Sequence, residues 1–367
     1  MKRYFLGMAG HRSWGEIWQH TFAVGRKRDC DELKDYLEKH YDGKAILCKN
    51  GRSALCLALK AYFEPGDAVI VNGFTCYAVY EAIKAAELVP IFADISKEDL
   101  NFDAETLKDW PSARGIIVQN SLGNPIDIDM VQKFAKKHSL MIIEDLAHCA
   151  GVKYADGQEC GTVGMATALS FGKDKSIDAV SGGGVVLRNP CLHEIKAPSQ
   201  SPKPSDHLRA RFYPFFGGLC RGLMHLHLGG GLMRGLVKIH WVEKSADNKL
   251  DLMRKISKFE AKLALKQFKT LKKPGEAPLR EFYLVRDREE VLKKLADAGY
   301  YFGGFWYERP VSPERYYKKV HFPEKDCPNA VFVAEHIINF PTYYTKNELS
   351  EAYKIIEPYL WKGGERE

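Results

Sequence analysis

From about residue 30 to residue 190 the chain alternates helix-like and strand-like segments, and no other feature limits its fold so tightly. DELKDYLEKHY (31–41) reads as a helix, and so does ALCLALKAYF (54–63), which follows a polar Asn50-Gly51-Arg52-Ser53 turn. DAVIVNG (67–73) reads as a short buried strand ended by Gly, CYAVYEAIKAAE (76–87) as a helix, and VPIFADI (89–95) as a strand. RGIIVQNS (114–121) is a strand, DMVQKFAKKHS (129–139) a helix, and LMIIED (140–145) a strand that ends in two carboxylates. ATALSF (166–171) and GGVVLR (183–188) complete the set of strands. Strands alternating with helices of this length imply an α/β fold with a mainly parallel sheet covered on both faces. In such sheets ligands bind outside the carboxyl ends of the strands.

After residue 190 the pattern changes. Residues 191–206 are rich in Pro, Ser and charge and read as a loop. RKISKFEAKLALKQFKTLKK (254–273) is a long basic helix stopped by Pro274-Gly275. The rest reads as a small α/β domain: strand EFYLVRD (281–287), helix REEVLKKLADAG (288–299), strand VFVAEHIINF (331–340) and helix KNELSEAYKIIEPYL (346–360). The expected division is a large domain over 12–250, a connecting helix over 251–274 and a small C-terminal domain over 275–367. Nine cysteines, an odd number with no CxxC pair, fit reduced thiols in a cytoplasmic protein better than a disulfide framework or a zinc site. The N-terminus makes a poor signal peptide, and no apolar run reaches about 18 residues. A net charge of 54 − 47 = +7 over 367 residues does not argue for nucleic acid.

Three features fall at strand ends. The turn at 50–53 opens a helix, where free backbone amides and the helix dipole bind anions; Gly51 allows close approach and Ser53 can act as the cap. In IIEDLAHCAG (142–151), Asp145 closes a strongly apolar strand, where a carboxylate needs a cationic partner or it protonates; His148 follows three residues on. In ALSFGKDKSIDAVSGGGVVL (168–187), a strand ends at Ser170-Phe171 and is followed by Lys173 and Lys175. A lysine placed there is a candidate Schiff-base nucleophile, because partial burial lowers its pKa. The glycines at 182–184 match neither GxGxxG nor a P-loop. Taken singly, each feature has an ordinary reading: a capped helix, a loop acid beside a structural histidine, a solvated basic turn. Together they supply what pyridoxal 5'-phosphate needs: an anion site for the phosphate, an aspartate for the ring nitrogen, and a lysine for covalent attachment, 175 − 145 = 30 residues after the aspartate.

At these residues the chain resembles the DegT/DnrJ/EryC1/StrS family of fold type I aminotransferases, well over 40–190 and weakly over 250–360. GDAVIVNGFTCYAVYEAIKAAELVPIFADI is similar to the family's second strand, helix and third strand. NSLGNPIDID (120–129) is similar to its Gly-x-Pro-x-Asp-x-Asp turn, and IIEDLAHCAG to its I-E-D-A-A-H/Q-A-x-G. GTVGMATALSFGKDKSI (161–177) is similar to its G-T-x-G-x-x-x-x-x-S-F-x-x-x-K-x-I. The resemblance implies that Lys175 is the catalytic lysine, Asp145 the partner of the pyridine nitrogen and His148 the residue beside the ring hydroxyl. It also implies that Gly51 and Arg52 hold the phosphate, with Ser170 in contact with it. Where the family has an aromatic ring over the cofactor, this chain has Cys76 followed by Tyr77, and either could cover the ring. Where the family's Gly-Tyr-Asn-Tyr-Arg segment sends an asparagine to the neighbouring subunit's phosphate, this chain has Met253, with Lys255 at the arginine and Arg254 as a candidate replacement.

The implied activity is transfer of an amino group from an amino acid, glutamate foremost, to a nucleotide-linked keto-sugar, in a homodimer. The alternatives are another fold type I reaction, elimination or decarboxylation, or a cofactor-binding, membrane-associated protein without turnover. Residues 207–242 lie outside the resemblance. They carry five Arg or Lys, no Asp or Glu, and four histidines. Subtracting them leaves 7 − 5 = +2 on the rest of the chain. A dimer-interface element or active-site flap is the expectation weighed highest for this insertion; peripheral membrane contact is the alternative. His225-x-His227 alone does not make a metal site.

Overall fold

A computed structural model describes residues 4–6, 12–188, 190–224, 228–242, 248–270, 279–302 and 306–361. The 271–274 end of the expected connecting helix and the His225-x-His227 pair fall outside them.

The central sheet has seven strands: β1 (Lys44–Cys48), β2 (Ala68–Asn72), β3 (Val89–Ala93), β4 (Ala113–Val118), β5 (Met141–Asp145), β6 (Ala166–Ser170) and β7 (Gly183–Leu187). Their spatial order is β1-β7-β6-β5-β4-β2-β3. The run β6-β5-β4-β2-β3 is parallel throughout, and β7 is antiparallel to both β1 and β6. Six of the seven strands follow the boundaries expected from sequence to within about three residues; β1 lies outside that expectation.

Two apolar layers sandwich the sheet. In β2, Val69 and Val71 join the layer of α3 (Gly51–Tyr62) and α4 (Tyr77–Ala85), whereas Ile70 joins the opposite layer. That opposite layer is made by α2 (Lys27–Tyr41), α5 (Ile128–His138) and α8 (Lys258–Thr270). The switch of face at each residue is the period-2 alternation of a strand. Because helices cover both faces, the strands read as continuous apolar runs.

The 207–242 segment folds into two helices, α6 (Pro204–Leu223) and α7 (Gly229–Lys238). Its Ala210, Tyr213, Cys220, Leu236 and Val242 form a small core with Val180 and with Phe259 of α8. α6 also packs against an N-terminal helix, α1 (Trp14–Phe22). Toward the C-terminus, strand β8 (Arg280–Leu284) pairs antiparallel with β9 (Ile337–Pro341), and α9 (Arg288–Asp297) and α11 (Ser350–Ile356) pack around them. The strand expected over 331–340 is corrected. Its first half is helix α10 (Pro328–His336), and only Ile337–Pro341 is strand. Pro328 sits in the first turn of that helix, where its fixed φ is favourable.

Candidate active site

The carboxyl ends of β5 and β6 and the start of α3 converge on a cleft of about 160 Å3. Gly51, Arg52, Cys76, Asp145, His148, Ser170 and Lys175, seven of the residues singled out from the sequence, line this one cleft, whereas Ser53, Tyr77, Met253 and Arg254 do not.

The α3 start is held by its cap. Asn50, not Ser53, is the capping residue: its side chain accepts from the Ser53 amide at 2.9 Å. The Ser53 hydroxyl instead donates to the Asp251 carbonyl at 3.1 Å. Gly51 and Arg52 occupy the first helical positions, where amides project beyond the helix rather than into it. A Cβ on Gly51 would lie 2.5 Å from the Ser170 Cβ, so only glycine lets the turn sit against the end of β6. A Cβ on Gly183 would lie 2.5 Å from the Asn50 backbone, which assigns the glycine run to packing under the same turn. The Arg52 guanidinium is paired with Glu81 of α4.

The two carboxylates that end β5 point into different surroundings. Glu144 is fully buried and accepts four hydrogen bonds: from the Tyr154 hydroxyl (2.8 Å) and the amides of Gly161 (2.7 Å), Val163 (2.8 Å) and Gly164 (2.6 Å). Asp145 faces the cleft and accepts from the Ala147 amide at 3.0 Å. Burial pushes the Asp145 carboxyl up to about 6, against the opposing pull of that amide and of the Lys175 charge.

Lys175 Nζ lies 3.0 Å from His148 Nε2 and 4.4 Å from the centre of the Trp306 ring. The Leu122 amide donates to His148 Nδ1 at 3.2 Å. That bond leaves the ring proton on Nε2, aimed at the lysine nitrogen. Burial is the first cause that lowers both groups, and the nearby Lys175 and Arg280 charges lower His148 further. The imidazole is therefore neutral, with its Nε2–H facing Lys175, whose pKa burial also lowers. Lys173 also lines the cleft, with its Nζ over the Tyr213 ring of α6 at 4.2 Å.

The loop carrying Lys175 is clamped at Asp178. Arg12 reaches the Asp178 carboxylate at 3.1 Å and its carbonyl at 2.7 Å. Gln267 of α8 accepts from the Asp178 amide (2.8 Å) and donates to its carbonyl (2.7 Å), while the Asp178 carboxylate accepts from the Asp174 amide (3.2 Å).

Several lining or flanking groups lie outside the sequence expectation. Trp306 stacks on His148 with centroids 5.0 Å apart, and Tyr307 lines the cleft with its hydroxyl 3.5 Å from His148 Nε2. Arg280 of β8, 3% exposed, is bonded by Asn339 of β9 and lies over Trp306 at 5.2 Å. Local sequence gives one hint of this wall, a run of three aromatic residues, 305–307, after Gly303-Gly304. Tyr77 is turned onto Tyr316 (4.3 Å, 14° between planes), so of the Cys76-Tyr77 pair it is Cys76 that lines the cleft. Arg254 is occupied within its own chain, by Asp251 at 2.9 Å and the Ser201 carbonyl at 3.1 Å. The insertion also reaches the cleft, through Arg209, Ala210 and Trp241. Among the described residues no group of three His, Cys, Asp or Glu side chains could hold a metal ion.

Comparison with known proteins agrees with this geometry. The model of the DegT/DnrJ/EryC1/StrS aminotransferase family matches residues 28–201. The UDP-N-acetyl-3-dehydro-alpha-D-glucosamine 3-aminotransferase of Acidithiobacillus ferrooxidans is 36% identical over 146 residues, 38% of each chain. The GDP-perosamine synthase of Caulobacter vibrioides is 34% identical over 148 residues, 40% of each chain. The matched stretch thus spans about two fifths of these relatives' length. In three dimensions the likeness is broader: a Streptococcus pneumoniae structure described as a sugar aminotransferase in its PLP form has a TM-score of 0.64 over 97% of each chain at 17% identity. The Escherichia coli GDP-4-keto-6-deoxy-D-mannose-3-dehydratase with bound hydrated PLP has the same TM-score, 0.64, over 97% of this chain and all of that one, at 16% identity. Residues 28–201, the stretch that builds the lysine, aspartate and serine walls of the cleft, are thus similar to the DegT/DnrJ/EryC1/StrS aminotransferase family.

Proposed function

We propose that the protein is a PLP-dependent aminotransferase that moves an amino group from an amino acid, glutamate foremost, to a keto-sugar carried on a nucleotide. The observation that carries this reading is the buried Lys175–His148 pair, Nζ 3.0 Å from Nε2, in one cleft with Asp145 and the glycine-started helix α3. The donor set fits the cofactor. The Gly51-Arg52 turn and Ser170 would hold its phosphate, Asp145 its ring nitrogen, and His148 would lie beside its ring hydroxyl, with Cys76 on the ring side. Bound pyridoxal phosphate supplies an electron sink for the carbon that loses a proton. Lys175 Nζ is the base that takes that proton from the amino acid's Cα, and the Leu122 amide fixes the His148 tautomer that faces it. Arg280 adds a fixed positive charge that favours neutral Lys175 and His148. The insertion serves as a wall of the acceptor side of the cleft.

The working unit is read as a homodimer in the cytoplasm, with 12–250 as cofactor domain, 251–274 as connector and 275–367 as small domain. Nine free thiols support the cytoplasmic part of this reading.

The test is spectroscopic. The protein loaded with pyridoxal phosphate should absorb in the visible and be bleached by borohydride. Glutamate should remove the band and a nucleotide-linked keto-sugar restore it. No visible band with added cofactor would overturn the reading, and a band that glutamate leaves intact would overturn the donor.

Asp145 gives a pH signature. The ring nitrogen needs the carboxylate, and in the cofactor-free cleft the Asp145 carboxyl takes up a proton as pH falls through about 6, which binding must then displace. Asp145→Asn should weaken cofactor binding by about tenfold or more at pH 7.5, and the gap to the parent protein should close below pH 6. Cofactor titrations of both proteins across that range check it.

A further inference from the structure

We propose that the face built by α1, the Phe215 edge of α6 and the outer side of α8 docks on an anionic phospholipid surface. This goes beyond the catalytic reading and does not depend on it.

The first observation is a row of aromatic rings. In α1, Ile17, His20 and Thr21 are buried against the body, while Trp14 (46% exposed), Trp18 (50%) and Phe22 (65%) recur every four residues along the opposite face. Phe215 meets both indoles edge-on at 6.3 Å, and Trp18 stacks on Phe22 at 5.3 Å. Val24, also 65% exposed, continues the row. Four exposed apolar side chains close together in the chain, three of them linked through ring contacts, are far from the scattered apolar residues of an ordinary surface. Indole rings with an apolar body and a polar edge favour the headgroup level of a bilayer.

The second observation is a lysine stripe alongside. In α8, Phe259, Ala261, Ala264, Leu265 and Phe268 are buried, and Lys258, Lys262, Lys266 and Lys269 are exposed at spacings of four, four and three. The stripe abuts the aromatic row: Lys262 Nζ donates to the Val24 carbonyl at 3.0 Å and Lys266 Nζ to Gln19 at 3.3 Å. Exposed Arg26, Lys27 and Arg28 follow α1 directly. The acids on this side are Glu16, Asp29, Asp31 and Glu32. Glu16 caps α1 through Ser13, Asp29 accepts from the Arg26 amide, and Glu32 pairs with Lys269 at 3.6 Å. Seven cations therefore face four acids, three of them engaged.

Charge complementarity selects the occupant. A second copy of this face would bring a second excess of cations to the contact and no matching acids. An anionic bilayer satisfies both features at once, the cations at the phosphates and the rings at the acyl boundary. No described helix is long and apolar enough to cross a membrane, so the contact is peripheral. The insertion contributes Phe215, and its other side stays with the cleft.

The test is co-sedimentation of the full chain with phosphatidylcholine vesicles and with vesicles that also contain phosphatidylglycerol. Binding is expected to the second alone and to fall with salt. Lys258→Ala/Lys262→Ala/Lys266→Ala, all on exposed side chains, should weaken partition on the order of 100-fold. Trp18→Ala/Phe22→Ala should weaken it at high salt as well. Equal partition onto both vesicle types, or no change in the lysine variant, would overturn the proposal. So would a concentration-dependent dimer abolished by Trp18→Ala with no vesicle binding, which would make this face a protein interface.

Discussion

Lys175→Ala is expected to reduce turnover on the order of 10,000-fold and to erase visible absorption of the cofactor-loaded protein. The fold should survive. The amine makes its hydrogen bond to His148 alone among the described contacts, and its burial disfavours the charged form that solution would give it. Replacing it with a methyl group removes a desolvated polar group, so the melting temperature should hold or rise. Lys173→Ala provides the contrast. Lys173 lies two residues away but over Tyr213, so its loss should leave the absorption band in place. Spectra, thermal melts and single-turnover rates on the two variants check this. A band retained in Lys175→Ala and lost in Lys173→Ala would move the assignment to the other lysine.

Glu144→Ala is expected to be the most destabilising single change near the site, by about 4 kcal/mol or more. It would leave one hydroxyl and three backbone amides buried without their acceptor, each costing about 1–3 kcal/mol. Asp145→Ala, one residue on, should do the opposite in the cofactor-free protein. Its carboxyl accepts a single backbone hydrogen bond and burial already raises its pKa, so removing it relieves a strained group. The sign with pH follows. A carboxyl whose folded value is raised to about 6 contributes stability below its ordinary value that is lost as pH climbs through 6. The gain from Asp145→Ala should therefore be larger at pH 7 than at pH 4. Denaturant midpoints at the two pH values check both variants.

Much of this was legible because the sheet is buried on both faces. Strands such as VIV and MII stand out as continuous apolar runs, and the helices between them carry an apolar stripe. The seven lining residues found from sequence all lie on these elements or the turns that end them. What was not legible came from elsewhere in the chain. Arg280 reaches the cleft region from 280 − 175 = 105 residues beyond Lys175, and Tyr307 from 307 − 175 = 132, with Trp306 beside it. No local pattern announces such a long-range contact. Insertion 207–242 reads poorly because Gly, Pro and aromatic residues weaken helix propensity, and tertiary packing on Phe259 and Ile17 overrides it. The helix at Pro328–His336 reads as strand because Val, Phe and Val are β formers, with packing again deciding. The capping role fell to Asn50 rather than Ser53 because cap geometry depends on where the helix begins, to the residue.

The Asp178 clamp has a consequence for anyone recombining this chain with its relatives. The family match runs from 28 to 201, yet the two side chains that hold the lysine loop come from Arg12 and Gln267. A chimera with crossovers at the edges of the match would transplant Lys175 without either anchor. Modularity here is set by hydrogen bonds that span 166 and 89 positions, not by the reach of sequence similarity. The smallest exchangeable piece that keeps its lysine in register begins before Arg12 and ends after Gln267.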